Sequence, residues 1–289
     1  MLKYYLTLLI IILAYNNYAQ KEYKSLFWKV YGNKLKDTSY LYGTMHTQDK
    51  RAFQFKDGVL EAFNRSNIYA MELNVDSINQ AVLLKELIMD SSQNLKKLLS
   101  STEYILVDQY FKDSMGLSLF FFDKISPIYT SQFITMKNLG TEQEDALDLF
   151  FHKKAKNQGK KIIGLEKMIE QIDAINSISY EKQAKELVNA VNKANDLKNN
   201  EIDDLISYYI KGDLESLLAI TTHDDSLINE YDSIINEIFI DKRNKKMADR
   251  CIKHLKENST FIAIGAAHLP GENGVIELLR RKGFNVEAN

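Results

Sequence analysis

The sequence predicts an α/β protein with a mixed, largely parallel central sheet, crossover helices and a large helical cap. Three observations carry this. Short apolar runs bounded by turn residues recur towards both ends of the chain, long amphipathic patterns lie between them, and a helical stretch feeds directly into a strand. Alternation of helix and strand favours a sheet with parallel character, because parallel neighbours need crossovers that cover the sheet faces.

The predicted strands are Leu26–Tyr31, Ser39–Tyr42, Asn67–Leu73, Lys161–Gly164, Thr260–Ile264 and Phe284–Glu287. Helical periodicity marks Asp57–Arg65, Ile78–Met89, Thr102–Met115, Glu142–Asn157 and Glu181–Leu197, and continues through Asp203–Lys211 and Ile234–Glu257. In the Glu142 helix, Ala146, Leu149, Phe150 and the stem of Lys153 form the predicted apolar side, and Gly159 supplies the end. The nearly all-helical stretches, roughly 76–140 and 168–257, form the expected cap over the sheet. Only Pro127 and Pro270 interrupt the chain beyond the first segment, and no Gly/Ser-rich linker occurs, so residues 20–289 read as one domain.

At 289 residues and 45% hydrophobic, the chain can bury a sizeable core. Lys+Arg 37 against Asp+Glu 39 gives a net charge of -2, which supplies no field to collect nucleic acid. The lone Cys251 sits in an apolar helical stripe and reads as a buried structural thiol. At the start, Lys3, the apolar run Tyr4–Ala14 and the polar Tyr15–Gln20 have a signal-peptide layout, with cleavage expected after Ala19. The run is short for a membrane span. Asn17 stands where a small residue is preferred, so an uncleaved N-terminal anchor is the alternative, and it is the one expected membrane contact. Either way the folded part is exported.

Chemistry-capable residues stand where predicted strands end. Gly43-Thr44-Met45-His46 follows one strand and Gly265-Ala266-Ala267-His268 another, both Gly-x-x-His. A shuffled sequence of this composition gives about 0.2 such matches. A glycine lets the backbone turn sharply after a buried strand, and three residues later the imidazole can point back over the strand tip. Ligands of open α/β sheets bind at this carboxyl edge. Two further strands end in acids, Glu72 and Glu166. Glu72 is either a site carboxylate or a solvent-facing residue on an edge strand. Glu166 is either a site residue or an acid placed for the dipole of the next helix.

Two histidines and one carboxylate, with positions left open, suit a catalytic divalent metal: zinc, manganese, iron or cobalt. Arg243 is either part of a solvated basic face or an inward-pointing arginine that stabilises an oxyanion. His152 reads as surface-exposed, His223 as a loop residue and His254 as part of an amphipathic helix, so none of them receives a role. No zincin, serine-hydrolase, dinucleotide-binding or P-loop motif is present.

Several blocks in order resemble the TraB/PrgY/GumN family, which includes the Tiki metalloproteases. They are Leu41–His46, Met71–Leu73, Ala146–Phe150, Gly164–Glu166 with Glu170-Gln171, Asp241–Ala248 and the long Gly265–Val275. The resemblance implies a fold akin to erythromycin esterase and the haem-binding ChaN proteins, with the paired histidines converging on a metal, and a metal-dependent peptidase activity. It further implies that His46, Glu72 and His268 are ligands or their immediate partners, and that Arg243 is the arginine of the family's Arg-Asn block. Phe150 departs from the histidine or other polar residue of many relatives, so the helix carrying it is given no part in the site.

The resulting expectation is a hydrolase in which metal held by His46, His268 and Glu72 activates water against a peptide or small-molecule ester carbonyl. Glu166 is the expected proton shuttle and Arg243 the oxyanion stabiliser. The alternative is a non-catalytic extracytoplasmic binder of a secreted peptide or haem-like ligand in the same cleft.

Overall fold

The computed structural model describes residues 23–138, 142–196, 200–222 and 236–289. The expected signal segment, residues 1–19, and His223 lie outside them. Among the described residues no helix is long and apolar enough to cross a membrane.

Six strands form one sheet: β1 (Phe27–Tyr31), β2 (Ser39–Thr44), β3 (Ile68–Leu73), β4 (Lys161–Glu166), β5 (Thr260–Gly265) and β6 (Asn285–Ala288). Their order is β4-β3-β5-β2-β1-β6. The first four in that order are mutually parallel, and β1 runs against both β2 and β6. The sheet is therefore mixed and largely parallel, as predicted. Strands β2 and β4 run two residues further than the sequence suggests, because their ends still find parallel partners, Thr44 opposite Gly265 and Glu166 opposite Leu73. Central β5 is buried on both faces from Thr260 to Ile264, as a strand covered by crossover helices must be.

The longer helices are α1 (Val59–Arg65), α2 (Gln80–Leu87), α3 (Ser101–Met115), α4 (Pro127–Asn138), α5 (Leu147–Asn157), α6 (Met168–Asn176), α7 (Tyr180–Asn195), α8 (Glu201–Lys211), α9 (Leu214–Thr222), α10 (Lys242–Glu257) and α11 (Val275–Arg281). On one sheet face Phe261 meets Phe63 of α1 at 5.3 Å and Phe151 of α5 at 5.5 Å between ring centroids. Met247, Cys251 and Leu255 of α10 join the same core, with Asn244 and Ala248 buried on the same stripe. A separate apolar cluster gathers Leu95, Val107, Phe111 and Leu119 against Ala184, Leu187 and Val191 of α7.

Helix α5 corrects the sequence reading. It starts at Leu147, and its buried residues are Leu147, Phe151, His152 and Ala155, while Leu149 is exposed. Residues 142–145 ahead of it form bends beside the chain after β2, with Gln143 donating to the Gln48 carbonyl and Leu147 to that of Thr47. Packing of Phe151 against Phe261 and Phe63 sets the buried face, so His152 is buried rather than at the surface, with Nε2 3.3 Å from Asp76 Oδ2.

Candidate functional site

Parallel pairing of β2 with β5 sets Gly43 opposite Ile264 and Thr44 opposite Gly265, so both Gly-x-x-His segments leave neighbouring strands at one sheet edge. The glycines serve close approach and not an unusual backbone torsion. Gly265 has φ −52°, within the range of any residue. A Cβ on Gly43 would stand 3.1 Å from the Ala266 Cα, and one on Gly265 would stand 3.0 Å from Glu72 Oε1. The missing side chains let the Ala266–His268 turn settle on β2 and let Glu72 reach the backbone.

Glu72 is the penultimate residue of β3, the other neighbour of β5, and is inside the molecule rather than on a solvent-facing edge. Its Oε1 accepts the Gly265 N–H at 2.5 Å and its Oε2 accepts Arg243 Nη2 at 2.8 Å. Arg243 also grips Glu166, with Nε at 2.9 Å from Oε1 and Nη2 at 2.6 Å from Oε2. Gln171 donates a further bond to Glu166 Oε2 at 3.0 Å. Arg243 thus points inward, and Glu166 is the buried last residue of the edge strand β4. Burial pushes the Glu72 carboxyl up, but His268, Arg243, His46 and the Gly265 N–H outweigh it and hold the group at about 2. The Arg243 guanidinium is lowered by burial and raised more by Glu166 and Glu72, so it stays charged.

His268 is buried, and burial lowers its pKa against the opposing charge of Glu72. Arg243, His46 and the Gly265 amide act with it to keep Glu72 ionised. The Nδ1 of His268 lies 2.7 Å from Asn244 Oδ1, and its Nε2 lies 3.8 Å from Glu72 Oε1. His46 is 72% exposed, with Nδ1 2.5 Å from Asp148 Oδ2. The charge of Asp148 and then its hydrogen bond raise the His46 pKa. Thr44 Oγ1 donates to the other Asp148 oxygen at 2.5 Å. The two rings are near enough for each to act electrostatically on the other's neighbourhood, His46 lowering the pKa of His268 and Glu72 raising that of both.

His46, His268, Glu72, Arg243 and Glu166 therefore gather at one edge. Glu72 faces His268, while His46 is turned at Nδ1 towards Asp148. Among the described residues no three His, Cys, Asp or Glu side chains are already drawn together as a metal cluster. The donors nonetheless fit a divalent cation in kind. Imidazole nitrogen and carboxylate oxygen suit Zn, Mn, Fe and Co, each ring is held at Nδ1, and the 3.8 Å between His268 Nε2 and Glu72 Oε1 is too long for a hydrogen bond, so both atoms keep a lone pair.

Sequence reasoning missed Asp148, Asn244, Thr44 and Gln171. Helix α5, which it set aside because of Phe150, delivers Asp148 to His46. One usable signal was present: Asp148 and Asn244 each lie on a helical face otherwise occupied by apolar residues, where an uncompensated polar group is costly.

A model of the TraB/PrgY/gumN family matches residues 26–288. Among curated proteins the chain is 24% identical to "Metalloprotease TIKI2" of Danio rerio over 319 aligned positions, covering 93% of this chain and 62% of that protein. It is 25% identical to "Metalloprotease TIKI1" of Homo sapiens, covering 93% and 62% respectively. It is 26% identical to "Metalloprotease TIKI homolog" of Nematostella vectensis, covering 93% and 68%. The chain thus spans a little over three fifths of the length of the first two. No solved structure gives a significant match. With a match that takes in every strand and both Gly-x-x-His segments, the chain belongs to the TraB/PrgY/gumN family.

Proposed function

We propose that this chain is an exported metal-dependent peptidase whose substrates present a peptide or ester carbonyl at the carboxyl edge of the sheet. The observation that carries the reading is that both Gly-x-x-His segments leave neighbouring strands at that edge, where His268 Nε2 lies 3.8 Å from a buried Glu72 paired with Arg243. The names of the relatives, metalloproteases, support it. His46, His268 and Glu72 would hold a divalent metal, Mn, Co, Zn or Fe, which when bound supplies Lewis-acid activation of water and of the carbonyl.

The protein's own groups do the rest. Glu72 is kept ionised by Arg243 and the Gly265 amide, which suits a ligand better than a base that must take up a proton. Glu166 has both oxygens occupied by Arg243 and one shared with Gln171, so it anchors the guanidinium instead of shuttling protons. Among the described residues the bonds of Arg243 to Glu166, Glu72 and the Phe239 carbonyl use four of its five N–H groups. The remaining Nη1 hydrogen is available to an oxygen gaining negative charge. The leader-like first segment supports export.

The test is to strip the protein with chelator, add back Mn, Co, Zn or Fe singly, and follow cleavage of a random peptide library. Wild type is expected to cleave with at least one metal, and His268→Ala and Glu72→Gln to lose at least 100-fold. Equal cleavage by His268→Ala overturns the reading. Retention of a peptide or of haem without turnover identifies a binder instead.

A further inference from the structure

Both imidazoles are gripped at the same ring atom by unlike partners. Asn244 is fully buried on α10, and its Nδ2 donates to the Asn273 carbonyl at 2.9 Å, which fixes Oδ1 as the atom 2.7 Å from His268 Nδ1. Asn273 is itself held by Asp241, its Nδ2 donating to Oδ2 at 2.8 Å. An amide oxygen only accepts, so the hydrogen lies on His268 Nδ1 and the lone pair on Nε2. Turning the amide over would face its NH2 towards the ring and strip the Asn273 carbonyl of its donor.

Asp148 does the same for His46. Its Oδ1 takes the Thr44 hydroxyl, and its buried Oδ2, which has no donor in hydrogen-bond geometry among the described residues, lies 2.5 Å from His46 Nδ1 as an ion-pair contact. As a carboxylate it can only accept, so His46 also carries its hydrogen on Nδ1.

We infer that Asn244 and Asp148 are positioning residues that hold His268 and His46 as Nδ1–H rings, presenting Nε2 of each to the cation. The cation half of this rests on the metal reading above, while the ring-tautomer half stands without it. Outer partners of this kind typically change metal affinity 10–100-fold when removed.

Two readouts test it. The first is long-range 1H–15N correlation of the histidine rings in the metal-free, full-length protein. His268 of wild type is expected as a single Nδ1–H tautomer and Asn244→Leu as a mixture or the Nε2–H form. A His268 ring with its hydrogen on Nε2 in wild type overturns the proposal whether or not any variant folds. The second is Co2+ titration followed by its visible absorption. Asn244→Leu and Asp148→Leu are expected to bind roughly 10–100-fold more weakly than wild type. Asp148→Asn keeps an acceptor for Nδ1, because the Thr44 hydroxyl can rotate to accept the new NH2, and is expected to stay within about threefold. Unchanged affinity in both leucine variants overturns the role towards the cation. No Co2+ uptake by wild type overturns the metal reading and the cation half with it, while the ring spectra still decide the tautomer half.

Discussion

Arg243→Met isolates the charge at the centre of the site while keeping most of the aliphatic stem. In the native protein Arg243 is 16% exposed, Glu72 13% and Glu166 1%, so removal of the guanidinium leaves two carboxylates enclosed without their cation. Breaking a buried ion pair from one side costs about 3–5 kcal/mol. At roughly 2–4 °C per kcal/mol for domains of this size class, the melting temperature should fall by about 6–20 °C. The pH dependence gives a sharper test. In wild type the Glu72 pKa is lowered from 4.5 to about 2, so its stabilising contribution is fully present above 4.5 and fades as pH drops towards 2. In Arg243→Met burial acts without the opposing cation and drives the carboxyl pKa upwards, so protonation relieves the penalty as pH falls. Urea denaturation at pH 7 and pH 4.5 should therefore show a gap between wild type and variant that is widest at pH 7. Adding Glu166→Gln to Arg243→Met should recover part of the loss, since the two sites are in direct contact. A loss under about 1 kcal/mol at pH 7, or a gap that does not shrink on acidification, refutes the assignment of Arg243 as the counter-charge of both acids.

Gly164→Ala and Gly265→Ala should differ in kind. A Cβ at 164 meets the Asn74 backbone nitrogen at 2.8 Å, which cannot move aside cheaply, so chemical denaturation should show a loss of about 2–3 kcal/mol. At 265 the contacts are the end of Glu72 and the His268 ring, so stability should change by about 1 kcal/mol while peptide cleavage falls at least tenfold. Phe151→Ala, which empties a fully buried position ringed by Tyr42, Phe55, Phe63 and Phe261, should cost about 3–5 kcal/mol by the same assay. Burial pushes the Cys251 thiol up to about 12, so alkylation at pH 8 should be negligible in the folded protein and complete in denaturant.

The reading of the strands held because each is a short apolar run closed by turn residues, and because side-chain direction along a strand depends on near neighbours. The sheet edge followed from the same runs, and with it the placing of both Gly-x-x-His segments on neighbouring strands, since a glycine directly after a buried strand marks where the backbone passes close to something else. Helix phase was less legible. Ala146 looked like part of an apolar stripe, yet it caps α5 because the preceding residues bond to the chain after β2, and the buried stripe follows the packing of Phe151 on Phe261.

Local sequence therefore determined which segments are strands, that they form a largely parallel sheet, and which edge holds the imidazoles. Tertiary structure alone decided what each polar group touches. Glu166 and Arg243 are 77 positions apart and His46 and Asp148 farther still. Asn244 and Asp148 stand out on apolar helical faces, but the sequence does not say which atoms satisfy them. The reason is physical: apolar burial is imposed by periodicity along the chain, whereas a buried charge or amide is stabilised only by particular atoms that the completed fold brings to it.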